Sequence, residues 1–143
     1  MRRAFRLGLL FLIGAFLLIQ LIPYGHDHAN PPVGAEPAWD SPATREVATA
    51  ACFDCHSNET EWPWYTSVAP FSWLTQRDVE EGRATFSEWN RPHETDEVTE
   101  AIREGSMPPW YYRLLHPAAR LSDAELERLI AGLEATFRAS PPS

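Results

Sequence analysis

Cys52-Phe53-Asp54-Cys55-His56 is the stretch on which the interpretation of the whole chain depends, because its spacing is the C-x-x-C-H pattern of covalent haem attachment. In that chemistry two thiols add to the two vinyl groups of one haem, and the histidine that follows the second thiol binds the iron axially. The motif therefore predicts one covalently bound haem c, held by Cys52 and Cys55, with His56 as the proximal iron ligand.

Three other uses of a cysteine pair compete with this interpretation. A thioredoxin-like dithiol normally belongs to a βαβ pattern, which the sequence lacks, and it has no need of His56. A structural zinc ion requires four ligands, and two cysteines with one histidine leave its shell incomplete. A disulfide between Cys52 and Cys55, the chain's two cysteines, would close a loop too small to contribute much stability.

Length and charge narrow the possible functions further. The chain has 143 residues and a formal net charge of −8, which suits one acidic domain. All 12 basic residues are arginines, and they form no stripe that could follow a phosphate backbone, so we expect no nucleic-acid partner. Outside residues 1–23, nine arginines face 20 acidic residues, a net charge of −11. This charge favours redox partner proteins with a basic docking face.

The N-terminal segment predicts a membrane anchor. Arginines at positions 2, 3 and 6 precede an apolar run over residues 7–22, and a helix over residues 4–22 would be roughly 28 Å long. Residues 1–23 are therefore predicted to form one transmembrane helix in the inner (cytoplasmic) membrane, with the rest of the chain on the periplasmic side. A cleaved signal peptide is the alternative, since Val33-Gly34-Ala35 offers small residues to a peptidase.

The remaining chain divides into a tether, a domain and a short tail. Residues 24–41 are rich in proline and glycine, which indicates an extended tether. Residues 42–139 form the predicted haem-binding domain, and residues 140–143 form the tail. His26 and His28 in the tether have a spacing that can bind a metal ion, although solvated histidines are the simpler interpretation.

The domain itself is predicted to be all-α, because no segment alternates as a strand does. Ser41 and Pro42 form an N-cap and a first helical position for a helix that continues to roughly Cys55; we call it the attachment helix. Two further helices are predicted over residues 70–82 and 96–104.

The last helix has the strongest signals. Ser122-Asp123-Ala124-Glu125 is a capping box, and apolar residues then follow at helical spacing as far as Phe137. Gly132 interrupts this helix, which suggests that the attachment helix crosses closely at that point.

At this stage the sequence resembles c-type cytochromes, and more closely the membrane-anchored haem-binding domain family of bacteria, over residues 30–137. The resemblance implies an all-α, cytochrome c-like fold with one covalently bound haem. It also implies that the Met-Pro-Pro segment before the last helix is the methionine loop of small cytochromes. The matching pieces are Asn30-Pro31-Pro32, the motif with Ser57-Asn58-Glu59-Thr60, Trp62-Pro63-Trp64-Tyr65, Ala69-Pro70, Asp78-Val79-Glu80-Glu81-Gly82-Arg83, Phe86-Ser87-Glu88-Trp89, Gly105-Ser106-Met107-Pro108-Pro109-Trp110-Tyr111 and Leu121-Ser122-Asp123-Ala124-Glu125.

Met107 is the predicted distal ligand of the haem iron. Gly105 can end the preceding helix, and Pro108 prevents its continuation. A thioether favours ferrous iron and raises the reduction potential, which suits electron transfer. A core-filling role for Met107 is the alternative. Trp110 and Tyr111 are predicted walls of the haem pocket, and the histidines that could replace Met107 are His26, His28, His93 and His116.

Four functions from different classes follow from these residues. The first is a membrane-tethered c-type haem protein that carries single electrons on the periplasmic side and is not an enzyme. The second is a haem-based sensor or small-ligand-binding protein with a weak or vacant distal position. A peroxidase-like enzyme would need an open distal position and a placed acid or base. A structural module or dithiol oxidoreductase would leave the cysteines without haem.

Overall fold

The computed structural model describes residues 1–92 and 94–142, and in these ranges regular structure is helical. The one β-type contact in these ranges is an isolated parallel bridge between Ala35 and Glu88, and no strand is formed. The predicted all-α class is therefore confirmed. The helices are α1 Arg2–Ile19, α2 Pro42–Ala51, α3 Phe53–His56, α4 Phe71–Gly82, α5 Ala84–Ser87, α6 Thr95–Arg103, α7 Trp110–Leu115 and α8 Asp123–Ala139, with 3-10 turns at Trp64–Ser67 and Pro117–Ala119.

The N-terminal helix differs from the predicted anchor. α1 has 18 residues, none of them buried, and its arginines at positions 2, 3 and 6 leave only residues 7–19 as its apolar part. In the described ranges, no helix combines the length and the apolar character needed to cross a membrane. The structure therefore does not support the transmembrane helix predicted within residues 1–23.

Residues 24–41, predicted as a tether, are extended but lie against the domain; we call this segment the strap. Ala35 accepts a backbone hydrogen bond from Trp89 at 3.0 Å and donates one to Ser87 at 3.1 Å. The Arg45 guanidinium binds Glu36 at 2.8 and 2.9 Å and lowers the pKa of that carboxyl. The strap belongs to the fold because its backbone and charged groups have partners on the domain.

The crossing of α2 and α8 closes the core. A Cβ atom at Gly132 would come within 2.8 Å of Thr44 Cγ2 and closer still to its Oγ1, so only glycine permits this approach. The close crossing suggested by Gly132 is thus observed. The α8 capping box at Ser122 and Glu125 is also present as predicted. The core beneath the crossing contains Ala48, Phe53, Phe86, Trp89, Ile102, Leu129, Leu133 and Phe137.

The attachment helix is divided in two at Cys52. α2 ends at Ala51, Cys52 adopts φ −130° and ψ −33°, and α3 begins at Phe53. The break lets the Phe53 side chain enter the core, where it is 1% exposed, while both cysteines stay half-buried. The sequence predicted one continuous helix because every residue in this stretch tolerates helical geometry.

Candidate cofactor site

A cavity of about 510 Å³ opens between α3, α4, α6 and α8. Its lining includes Cys52, Cys55, His56 and Met107, so residues 51 positions apart in the sequence meet at one site. This volume lies within the range typical of cofactor pockets. The apolar lining residues from the core are Phe86, Ile102, Leu129 and Leu133, and the carboxylates that line it are Asp78, Glu81, Glu94 and Glu97.

His56 is held from the side of α4 and α5. Its Nδ1 lies 3.2 Å from Thr85 Oγ1, and its ring also approaches the Gly82 backbone. Desolvation by the surrounding protein lowers the pKa of His56, so the imidazole is neutral at pH 7. A neutral imidazole is the form that binds a metal ion, and a hydrogen bond at its other nitrogen fixes its orientation.

Gly82 is a site residue whose role the sequence did not reveal. A Cβ atom there would lie 2.7 Å from the Cys55 carbonyl oxygen and 3.1 Å from His56 Nδ1. Real Cβ atoms do not approach a backbone oxygen to 2.7 Å, so glycine is what lets the end of α4 rest against the motif. The signal in the sequence was only that Gly82 belongs to a stretch that resembles the family.

We expect Gly82→Ala to destabilise the protein by about 1–3 kcal/mol, because the added methyl group overpacks the contact between α4 and α3. The displaced imidazole should also change the spectrum of the haem-loaded protein. Denaturant unfolding followed by circular dichroism measures the first effect and absorption measures the second. Gly14→Ala in α1 is the matched control, because a Cβ there meets nothing within 4 Å. Equal stability of the two variants would contradict this role for Gly82.

The two thiols lie beside the cavity as neutral groups. Desolvation raises the pKa of Cys52 and of Cys55 to about 12. A dithiol oxidoreductase requires the opposite shift, because the thiolate is the nucleophile. The surroundings of this pair therefore do not favour the dithiol alternative.

Met107 is placed on the cavity by the end of α6. Gly105 has φ +73°, a left-handed conformation that glycine adopts without strain. The N–H groups of Ser106 and Met107 then both donate to the Ala101 carbonyl at 3.1 Å. Met107 is 38% exposed and lines the cavity with Pro108. The structure thus brings the predicted distal ligand to the same site as His56.

Of the two predicted pocket walls, the structure brings one to the cavity. Tyr111 lines it and donates a hydrogen bond from its hydroxyl to Asp78 Oδ2 at 2.9 Å. Trp110 is 68% exposed and does not line the cavity, because α7 turns it outward beside Tyr111. No helix was predicted over residues 110–115, so the sequence did not indicate which side chain of α7 would face inward.

Three of the histidines proposed as substitutes for Met107 are among the described residues, and none of the three lines the cavity. His116 Nε2 is 3.0 Å from the Tyr65 hydroxyl, and its Nδ1 is 3.0 Å from the Tyr112 carbonyl. His28 stacks on Trp62 at 4.5 Å between ring centres, and its Nε2 is 3.1 Å from the Thr66 carbonyl. His26 is exposed, and His93 lies outside the described residues.

The metal site considered for the tether has no further support. In residues 1–92 and 94–142, no group of three or more histidine, cysteine or acidic side chains is arranged to hold a metal ion. His28 is nevertheless not a free solvated side chain, because it packs on Trp62 as part of the strap.

Asp54, inside the motif, joins it to the helix that follows Met107. Its Oδ2 accepts a hydrogen bond from the Tyr112 hydroxyl at 2.7 Å, and its Oδ1 accepts one from the Glu61 N–H at 3.0 Å. The Tyr112 ring also stacks on His116 with 3.8 Å between ring centres. Nothing in the sequence spacing paired Asp54 with Tyr112, because 58 residues separate them.

We expect Tyr112→Phe to cost about 1–3 kcal/mol at pH 7, because it leaves the Asp54 carboxylate without this donor. Burial and the bond to Asp54 raise the pKa of Tyr112 above its usual value of 10.0. The contribution of the protonated phenol is therefore complete below pH 10 and is lost as the pH rises above it. Urea unfolding at pH 7 and pH 11 should show a larger loss of stability in the wild type than in Tyr112→Phe. Tyr24→Phe is the control, because it also removes a phenol–carboxylate hydrogen bond, to Glu80 Oε2 at 3.1 Å, but at an exposed position. The same pH dependence in wild type and Tyr112→Phe would contradict the prediction.

The residues around the cavity fit a haem. Two thiols, a neutral imidazole and a thioether are the donors that c-type attachment and His/Met ligation require. The contact of Gly82 with His56 shows that the motif side of the cavity is built around that imidazole. Apolar core residues supply the remaining wall, as a macrocycle requires.

A small all-α chain with these donors around one cavity defines a haem-binding protein. The model of the haem-binding domain family matches residues 14–135, and the chain belongs to this family. The resemblance to a haem-binding domain family is therefore confirmed, and so is haem as the cofactor of that family. Neither the curated proteins nor the solved structures contain a match to the chain.

Proposed function

We propose that the protein is a c-type haem protein that carries single electrons. The observation that supports this proposal is the meeting of Cys52, Cys55, His56 and Met107 at one cavity of about 510 Å³. Cys52 and Cys55 would hold one haem through thioether bonds, and His56 and Met107 would bind its iron. When bound, the haem supplies reversible one-electron oxidation and reduction.

The chain's own residues support electron transfer more than ligand chemistry. His56 is neutral and oriented by Thr85, so it is ready to bind. Met107 offers a neutral thioether, which would hold the second axial side of a bound haem iron and would favour its reduced state. Apolar core residues on α6 and α8 form part of the cavity wall, which would reduce the solvent rearrangement that accompanies a change of charge.

A haem-based sensor or ligand-binding protein is the second candidate. Its supporting observation is that Met107 is 38% exposed, so a weak bond at this position could be displaced. A peroxidase-like enzyme has less support, because among the described residues that line the cavity His56 is the only histidine. We therefore propose a carrier without enzymatic activity.

We also propose that the domain works on the periplasmic side. The support is the order of arginines and apolar residues at the start of the chain, which is typical of segments that direct export. Cell fractionation with haem staining tests this part. Recovery of the stained protein in the cytoplasmic fraction would contradict it.

One set of spectra tests the function itself. The full chain is produced in cells able to mature c-type haem proteins, and absorption is recorded in both redox states. We expect haem that stays with the denatured chain, a reversible one-electron titration and a near-infrared methionine–iron band in the ferric protein. Immediate binding of carbon monoxide by the ferrous wild type, without that band, would favour the sensor instead.

A further inference from the structure

A second, narrower cleft of about 60 Å³ lies on the other side of the wall of the cofactor cavity. It is bounded by α4, α7 and the 3-10 turn Trp64–Ser67. The residues that line both spaces are Cys55, Asp78, Pro109, Tyr111 and Tyr112. Because the same residues, Cys55 among them, line both spaces, a single layer of residues separates the cleft from the cofactor cavity.

The surface around this cleft is apolar and exposed. Phe71, Leu74 and Leu115 line the cleft and are 52%, 37% and 52% exposed. α7 has no buried residue, and Trp110 and Leu114 share its outer face because they are four positions apart. Large exposed apolar side chains on the elements that bound one cleft are typical of an interaction site. We call this surface the α7 patch; its members are Trp64, Phe71, Leu74, Trp110, Leu114 and Leu115.

The charge at the cleft selects the type of partner. Asp54, Glu61 and Asp78 line it, and no arginine is among the described residues that line it. Arg113 of α7 is exposed but does not line the cleft. An apolar face next to carboxylates is complementary to a protein whose contact surface is apolar and surrounded by lysine or arginine. It is not complementary to an anionic membrane surface or to a second copy of this acidic chain.

We propose that the α7 patch is the docking surface for a basic redox protein, and that electrons enter or leave through the wall beside Cys55. This inference rests on the proposed electron-carrier function. A partner seated on Phe71 and Leu115 is separated from the cofactor cavity by the Tyr111 and Tyr112 side chains. Electron transfer weakens steeply with distance, so this thin wall is an effective crossing point. A small apolar contact assisted by charge suits the brief encounters of redox proteins.

The test measures oxidation of the reduced, haem-loaded full chain by two probes in stopped-flow experiments at low salt. A lysine-rich soluble cytochrome c is the protein probe, and hexacyanoferrate(III) is the small anionic probe. Two patch variants, Leu115→Ser and Glu61→Arg, are compared with two controls at exposed positions outside the patch. Val33→Ser replaces another exposed aliphatic side chain by serine, and Glu127→Arg makes the same charge reversal as Glu61→Arg.

We expect each patch variant to slow oxidation by the cytochrome by about fivefold or more, because docking or steering is lost. The two control variants should stay within about twofold of the wild type. Oxidation of Leu115→Ser by hexacyanoferrate(III) should be unchanged, and Glu61→Arg should not slow it, because the added charge attracts an anion.

Other results would contradict the proposal. Equal rates of oxidation by the cytochrome in patch and control variants would overturn the docking surface and leave the electron-carrier function intact. Failure of the wild type to be reduced and reoxidised reversibly overturns the function itself. If sedimentation shows a wild-type dimer that Leu115→Ser abolishes, the patch binds a second copy of the chain. If the wild type binds phospholipid vesicles and Leu115→Ser does not, the patch binds a membrane. Either of these last results overturns the proposed partner.

Discussion

The double variant Cys52→Ser/Cys55→Ser is expected to lose covalent haem completely. Both thiols line the cofactor cavity beside His56, and the chain has no other cysteine that could form a thioether bond. Denatured wild type should retain the haem absorbance and the added mass, whereas the denatured double variant should be colourless with the mass of the polypeptide. Each single variant should keep one link and yield less mature protein. Haem staining, mass spectrometry and absorption of the denatured chain make the measurement.

Ala50→Ser is the matched control for this experiment, because it places the same new hydroxyl at an exposed position in α2, two residues before Cys52. The control should carry haem as the wild type does. Wild-type protein that is colourless and unmodified, although recovered from cells that mature other c-type proteins, would contradict covalent attachment. Folding of the double variant is followed by circular dichroism, because α8 and its contact with α2 do not depend on the thiols.

The parts of the fold that the sequence predicted are those with local signals. The capping box at Ser122, the N-cap at Ser41 and the positive-φ residue Gly105 each act within one turn of the chain. The helix predicted over residues 70–82 is found as α4, and that over residues 96–104 as α6. Amphipathic spacing identifies such helices because each buries one face against the core.

The parts that the sequence did not predict depend on contacts between distant residues. α7 has only six residues, too few for a periodic pattern, and its position follows from the bond of Tyr112 to Asp54. The strap resembled a free linker because its prolines and glycines are typical of one. Its attachment arises from Glu36 and Ala35, whose partners Arg45 and Trp89 lie elsewhere in the chain.

In the candidate site, too, the residues with local sequence signals were predicted and those that depend on contacts between distant residues were not. His56 and Met107 were predicted because motif and loop chemistry identify them individually. Gly82 and Thr85, which hold His56, were not. A glycine at the end of a helix is also typical of helix termination, so Gly82 did not indicate which residue approaches it. Residues that orient a ligand are therefore best sought in the structure, where their distance to the imidazole is known.

Met107→Ala is expected to leave the haem attached and to lower its reduction potential. The thioether stabilises ferrous iron, and axial ligands set haem potentials over a range of about 0.8 V, so we expect a decrease on the order of 100 mV or more. The vacated position should bind carbon monoxide in the ferrous state, and the near-infrared methionine–iron band of the ferric protein should disappear. Spectroelectrochemical titration and carbon monoxide difference spectra make these measurements.

Leu114→Ala is the matched control for Met107→Ala, because it also removes an exposed apolar side chain near the cavity, on α7, without touching the lining. Its potential and its lack of carbon monoxide binding should equal those of the wild type. An unchanged potential in Met107→Ala would assign this methionine to packing, as the alternative interpretation holds. The comparison separates the two roles. Loss of a packing residue would lower the stability measured by unfolding and leave the iron closed to carbon monoxide, whereas loss of a ligand would change both the absorption spectrum and the reduction potential. Met107 is also 38% exposed, whereas Leu133 is 1% exposed, so removal of Met107 should cost less stability than truncation of Leu133.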